Sequence, residues 1–192
     1  EAAAELAGRL HAAGQLPPGA AILDLGAGSA IWSRAVASLD PRATVTAVDR
    51  APVLEAAHAY AEAAGMGARF TALAGDWRDV PIVDGTYDLA LLANICHLED
   101  EIAVPRLLGR AVAAVRPDGL IVVVDTLPDE GREPSLEVLL QALQLGMRTA
   151  GGGVYTLQQY HAWLEDAGFR VVVAWPLQAT GGRLTALLAR RA

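Results

Sequence analysis

Five short runs recur along the chain in which apolar and β-branched residues crowd together: AAILDLG (20–26), ATVTAVD (43–49), ARFTALAGD (68–76), YDLALLAN (87–94) and GLIVVVDT (119–126). Helical stretches at 31–39, 52–64 and 101–116 fill three of the four gaps between them. A strand that buries both faces must be apolar along nearly its whole length, and parallel neighbours need a crossover that a helix supplies. The alternation therefore predicts an α/β fold, a doubly wound parallel sheet covered on both faces. Pro52 suits the first position of its helix, where no backbone donor is required.

The flanks add detail. Ala3, Leu6, Ala7, Leu10 and Ala13 form a helical stripe that Gly14 and Pro17-Pro18 close. After the fifth strand, PSLEVLLQALQLGMRT opens an amphipathic insertion over 134–150. Its Leu139, Leu140, Leu143, Leu145 and Met147 suit either a lid or a core-facing stripe; the stripe is preferred, with Met147 as the expected substrate contact. AGGGVYT is expected to be a flexible link to a capping box of Thr156 and Gln159. FRVVVAWPL and RLTALLARR flank Gly181-Gly182 and predict a terminal hairpin.

With 192 residues the chain is expected to form a single domain. Hydrophobic residues make up 53% of it, yet no uncharged apolar run reaches the ~20 residues that span a bilayer, so no membrane partner is expected. Net charge is −7 and the 15 basic residues are scattered, which gives no footprint for nucleic acid. Lysine is absent, excluding Schiff-base chemistry and a P-loop lysine on this chain. Cys96 stands alone, so no internal disulfide forms, and a reducing, cytoplasmic setting is the expectation. Residue 1 is Glu and no leader pattern follows, which suggests a piece of a longer chain.

The stretch DLGAGSA (24–30) follows a strand and opens a helix, the context in which a glycine-rich turn is informative. Gly26 and Gly28 allow close approach of a ligand to backbone, although a plain strand-to-helix turn would look the same. Asp49, beside Arg50, ends the second strand, where a carboxylate can accept both hydroxyls of a ribose. Asp76 ends the third and precedes Trp77, an acceptor for an exocyclic amine next to an aromatic plane. Three strand-end acids at one sheet edge favour an adenosine site. Asp24 would repel a diphosphate but suit an ammonium group, and Ala30 holds the place of a third glycine, so S-adenosylmethionine is expected rather than NAD.

Residues 24 to 125 resemble the core of the class I SAM-dependent methyltransferases. NICHLEDE, VRPDGLIVVVDTLPDE and GGGVYTLQQYHAWLEDAGF resemble the small-molecule O-methyltransferases related to plant caffeate and acetylserotonin enzymes and to bacterial polyketide-tailoring enzymes. The resemblance implies a Rossmann-like, seven-stranded sheet of order 3-2-1-4-5-7-6 with the last strand antiparallel. It implies that His97 is the general base toward a hydroxylated small molecule, and that Asp125 orients it. Imidazole titrates near neutral pH, so a neutral ring is available to take the proton.

The resemblance also has departures. Val154 stands where plant enzymes carry a second acid, and Asn94 replaces an aromatic residue; it is expected near cofactor and substrate or as a strand-end turn residue. Relatives carry an N-terminal helical dimerisation domain, so a homodimer or a larger chain is expected. Glu99, Asp100 and Glu101 read as ordinary first-turn acids. Trp32, Trp163 and Trp175 read as packing residues, Cys96 as a small buried one, and His11, His58 and His161 as solvated. Carbon methylation, non-methylating chemistry on the same cofactor, and a catalytically silent domain remain alternatives to O-methylation.

Overall fold

Strand β1 (Ala21–Leu25) buries Ile22 on one side of a sheet and Leu23 and Leu25 on the other. Successive strand residues point to opposite faces, so an unbroken apolar run is satisfied only by a sheet covered on both sides. The computed structural model describes residues 1–128 and 133–192. Asp129 and Glu130, the end of the VRPDGLIVVVDTLPDE motif, lie outside the described residues.

Strands β2 (Thr44–Asp49), β3 (Phe70–Ala74), β4 (Tyr87–Ala93), β5 (Val115–Asp125), β6 (Phe169–Pro176) and β7 (Thr185–Arg191) complete a seven-stranded sheet of order 3-2-1-4-5-7-6. The first five pair in parallel, and β7 runs antiparallel to both β5 and β6. Three helices cover one face: α1 (Ala2–Ala12) through Leu6 and Leu10, α2 (Ile31–Ala37) through Val36, and α3 (Ala51–Ala63) through Leu54 and Ala57. The opposite face is covered by α4 (Ala103–Ala114) through Val104, Leu107 and Leu108, and by α6 (Leu157–Asp166) through Tyr160 and Leu164. The expected sheet and terminal hairpin are both present.

Several details differ from expectation. Pro52 is the second helical residue, after Ala51, still within the turn where a missing N–H costs nothing. Ala13 is exposed, beyond the end of α1. Val115 and Arg116 belong to β5 because Val115 pairs with Tyr87. The segment AGGGVYT is fixed by contacts: the Gly152 N–H donates to Thr149 Oγ1 at 2.8 Å and the Gly153 N–H to the His97 carbonyl at 3.0 Å.

The largest correction concerns α5 (Leu136–Arg148). Its periodicity is helical, as expected, but its apolar face does not turn into the core. Leu139, Leu140, Leu143 and Met147 are exposed, Met147 at 70%, and only Leu145 of the stripe is buried. Amphipathic spacing fixes which residues share a face; what covers that face lies in other segments. Among the described residues no helix is long and apolar enough to cross a membrane.

Candidate active site

The carboxyl ends of β1, β2, β3, β4 and β5 bring Asp24, Asp49, Asp76, Asn94 and Asp125 to one edge of the sheet. Parallel register does this: Leu25 pairs with Val48, Asp49 with Ala74, Asp24 with Leu91, and Ala93 with Val124, so the five ends lie along the same edge. Open α/β sheets bind ligands along this edge.

The turn after β1 is built by left-handed backbone at Gly26 (φ +66), Gly28 (φ +56) and Ala30 (φ +54). Gly26 has a second reason to lack a side chain, because its Cβ would lie 2.6 Å from Ile95. Gly28 has open space where a side chain would begin and donates its N–H to Asp49 Oδ2 at 2.8 Å. Asp49 Oδ1 accepts the Arg50 N–H at 2.7 Å. The acid of β2 and the glycine turn of β1 are thus one unit.

Asp24 does not stand open at the edge. It is 1% exposed, and its Oδ2 accepts the Ser33 hydroxyl at 2.5 Å. Burial raises its pKa to about 7, the Ser33 bonds oppose the rise, and the Asp49 charge adds to it. Ser33, the first polar residue inside α2, was not singled out from sequence; a serine nine positions beyond an acid carries no local signal. Trp32, in α2, is partly buried against the core, as expected of a packing residue.

Trp77 is buried and donates its indole N–H to Glu99 Oε1 at 2.8 Å. Arg78 spans the same gap: it bonds both oxygens of Asp76 at 3.1 Å, reaches Glu99 Oε2, and lies over the Trp77 ring at 4.4 Å. Glu99 is therefore not a first-turn helical acid; it ties the segment after β3 to the segment after β4. Asp100 does serve the start of α4, accepting the N–H groups of Ile102 and Ala103. Glu101 accepts the Gln159 side chain.

Asn94 ends β4 in left-handed backbone (φ +58) and donates its N–H to the Val124 carbonyl. Asparagine tolerates that conformation better than an aromatic residue would. The chain then makes a short 3-10 turn, Cys96–Leu98, that delivers His97. His97 Nδ1 lies 2.7 Å from Asp125 Oδ1, with the imidazole 13% exposed and the carboxyl 2%. An Nδ1–H donated to a carboxylate leaves the lone pair on Nε2, the tautomer a general base needs. The Thr126 N–H also donates to Asp125 Oδ1, at 2.8 Å, and the Tyr160 hydroxyl to Oδ2, at 3.3 Å. Gly153 N–H donates to the His97 carbonyl and Tyr155 O–H to the Glu99 carbonyl, so the histidine turn is held from the link before α6.

Cys96 is buried, and burial pushes its thiol pKa up, as expected of a small packing residue. Trp163 and Trp175 are partly buried against the two cores. Among the described residues no group of three or more His, Cys, Asp or Glu side chains could hold a metal ion.

A family profile of O-methyltransferase domains matches residues 7–170. The mitomycin biosynthesis 6-O-methyltransferase of Streptomyces lavendulae is 32% identical over 173 residues, which are 90% of this chain and 48% of that protein. The solved structure of mitomycin 7-O-methyltransferase superposes with a TM-score of 0.83 at 29% identity, over all of this chain and 53% of the other. Human N-acetylserotonin methyltransferase, solved in complex with SAM, superposes at 0.78 with 27% identity, over 99% of this chain and 51% of that one. The chain thus spans about half the length of the relatives it matches.

Proposed function

Given that this chain belongs to the family of O-methyltransferase domains, we propose that it binds S-adenosylmethionine and transfers its methyl group to a hydroxyl of a small, aromatic or polyketide-like molecule. The single observation that carries the chemistry is the 2.7 Å contact between His97 Nδ1 and Asp125 Oδ1.

The residues at the strand ends fit the cofactor. Open space above the left-handed Gly28 gives a ligand direct access to backbone. Each Asp49 oxygen accepts one backbone N–H and keeps a lone pair for the ribose hydroxyls. Asp76 supplies the acceptor for the adenine amine, with Trp77 forming the wall behind it. Asp24, buried at the end of β1 with its pKa raised to about 7, ionises more readily once an ammonium group lies beside it and then favours that end of the cofactor, while Asn94 and Arg50 border the site. Bound S-adenosylmethionine supplies an electrophilic methyl on a sulfonium.

On the acceptor side, His97 takes the hydroxyl proton at Nε2 as the oxygen attacks, and Asp125 stabilises the imidazolium that forms. Holding the oxygen in line with the methyl contributes at least as much as proton removal, and here the histidine turn is fixed from three sides. The names of the relatives, an O-methyltransferase of mitomycin biosynthesis and acetylserotonin O-methyltransferases, support the substrate class.

Calorimetry with S-adenosylmethionine is the first test and should give saturable binding; no heat at millimolar cofactor rejects the proposal. A panel of hydroxylated aromatics should then yield product one methyl heavier, with release of S-adenosylhomocysteine.

A further inference from the structure

The structure assigns to Tyr160 a positioning role: its hydroxyl holds the far oxygen of Asp125 and so fixes the carboxylate that fixes His97. This rests on His97 as general base.

Asp125 Oδ1 is used twice, by His97 Nδ1 at 2.7 Å and by the Thr126 N–H at 2.8 Å. Oδ2, in the same buried carboxyl, accepts the Tyr160 hydroxyl at 3.3 Å. A buried carboxylate with an unpaired oxygen is costly and free to rotate, and the phenol removes both problems. Tyr160 is itself 1% exposed, and its ring meets Tyr155 and Trp163 edge-on at centroid distances of 6.4 and 5.4 Å. The capping box at the start of α6 fixes its helix, with Thr156 N–H to Gln159 Oε1 at 2.9 Å and Gln159 N–H to Thr156 Oγ1 at 3.2 Å.

Toward Asp125 the phenol acts as the donor. Burial first, then the Cys96 thiol and the Asp125 charge, push its pKa well above the ordinary value, so it stays protonated. The other groups around the pair are Cys96 and Glu99 from the histidine turn and Tyr155 from the link before α6. Cys96 and Tyr155 are both pushed up, Tyr155 to about 12, chiefly by burial, and are neutral near pH 7. A neutral hydroxyl six residues beyond Val154 therefore serves Asp125, where the resemblance implies a second acid at 154.

Removing that donor makes the carboxylate more basic, and the His97/Asp125 pair then holds its extra proton more tightly. Tyr160→Phe keeps the ring and its edge contacts. Its His97 ring signal, assigned by loss in His97→Ala, should titrate higher than wild type by roughly half to one pH unit. The acid limb of kcat should move the same way, with KM and cofactor affinity changed less than about twofold. Placing 3-fluorotyrosine at 160, a stronger donor of nearly the same shape, should move the midpoint down and covers the case in which the Phe variant folds poorly. In an Asp125→Asn background neither change at 160 should move it.

An unmoved His97 midpoint in both variants overturns the assignment, whether or not thermal stability falls, because packing alone would act on stability and not on titration. The base assignment fails separately: if His97→Ala retains wild-type turnover, His97 is not the base, while the titration still reports whether Tyr160 holds Asp125.

Discussion

Trp77 donates its indole N–H to Glu99 Oε1 at 2.8 Å, and through that bond the segment that follows β3 is fastened to the one that carries His97. The adenine end proposed for the cofactor and the proposed base are thus parts of one braced structure.

Glu99→Ala should therefore be costly in two ways. It leaves a buried indole donor unpaired, worth about 1–3 kcal/mol of stability. Arg78→Ala should cost less, because that side chain is half exposed and its ion pairs are screened by solvent. Urea unfolding of the two variants separates them, and equal losses would show that the Trp77 bond contributes nothing special. Turnover of Glu99→Ala should also fall, since the histidine turn loses one of its three holds.

Asp125→Asn is the sharper test of the dyad. An amide can present its N–H to Nδ1, which drives the ring proton to Nε2 and removes the lone pair from the acceptor side. We expect kcat to fall by roughly a hundredfold or more, with cofactor affinity nearly unchanged. Isothermal titration alongside steady-state kinetics measures both. Loss of cofactor binding in step with kcat would place Asp125 in the cofactor site instead.

The pH dependence of stability should carry the signature of Asp24. Its pKa is raised by burial from 3.8 to about 7, so the native state holds a proton that the unfolded state has released. The stabilisation is complete below the unfolded value, about 4, and is lost as pH rises through 7. Asp24→Asn keeps an acceptor for Ser33 but cannot ionise. Relative to wild type it should gain stability between pH 4 and 7.5, by up to about 4 kcal/mol. Denaturant melts at a series of pH values read this difference; a pH-independent offset would mean that Asp24 titrates normally.

Much of this was readable in the residues, for reasons that separate local from distant effects. Doubly buried strands must be apolar throughout, so the five parallel strands and the Gly181-Gly182 hairpin could be placed from pattern alone. Turn chemistry exposed Gly26, Gly28 and the Thr156 capping box. The His97–Asp125 pair came only through resemblance, because nothing local relates residues 28 apart on different strand ends. Glu99 was misread because three consecutive acids before a helix look like dipole partners; its tie to Trp77 depends on where another strand ends. Ser33 and Tyr160 were missed because a helical serine and a core tyrosine have ordinary structural uses. For α5 the face was right and its burial wrong.

That face gives a further prediction. Leu139 and Leu143 are exposed and Leu145 is buried, although all three lie on one short helix. Leu139→Lys with Leu143→Lys should leave the thermal midpoint of this chain within a degree or two, since surface changes of this kind shift stability by about 0.5 kcal/mol or less. Leu145→Lys buries an unpaired ammonium and should lower the midpoint severely. If the double variant melts as early as Leu145→Lys, the helix packs the other way round.

Two glycines near the site should respond oppositely to the same substitution. At Gly152 an added Cβ would collide with the His97 carbonyl oxygen and lie 2.6 Å from Thr149 Oγ1, so backbone must move. Gly152→Ala should cost about 1–3 kcal/mol and lower kcat by displacing the histidine turn, with cofactor affinity little changed. At Gly28 nothing lies within 4 Å, so the cost is confined to left-handed backbone (φ +56), about 1 kcal/mol. The new methyl instead projects into the space proposed for the cofactor, and Gly28→Ala should weaken S-adenosylmethionine binding far more than stability. Calorimetry and thermal melts on the two variants measure this crossing; the placement of the cofactor over the β1 turn is wrong if Gly28→Ala binds as tightly as wild type.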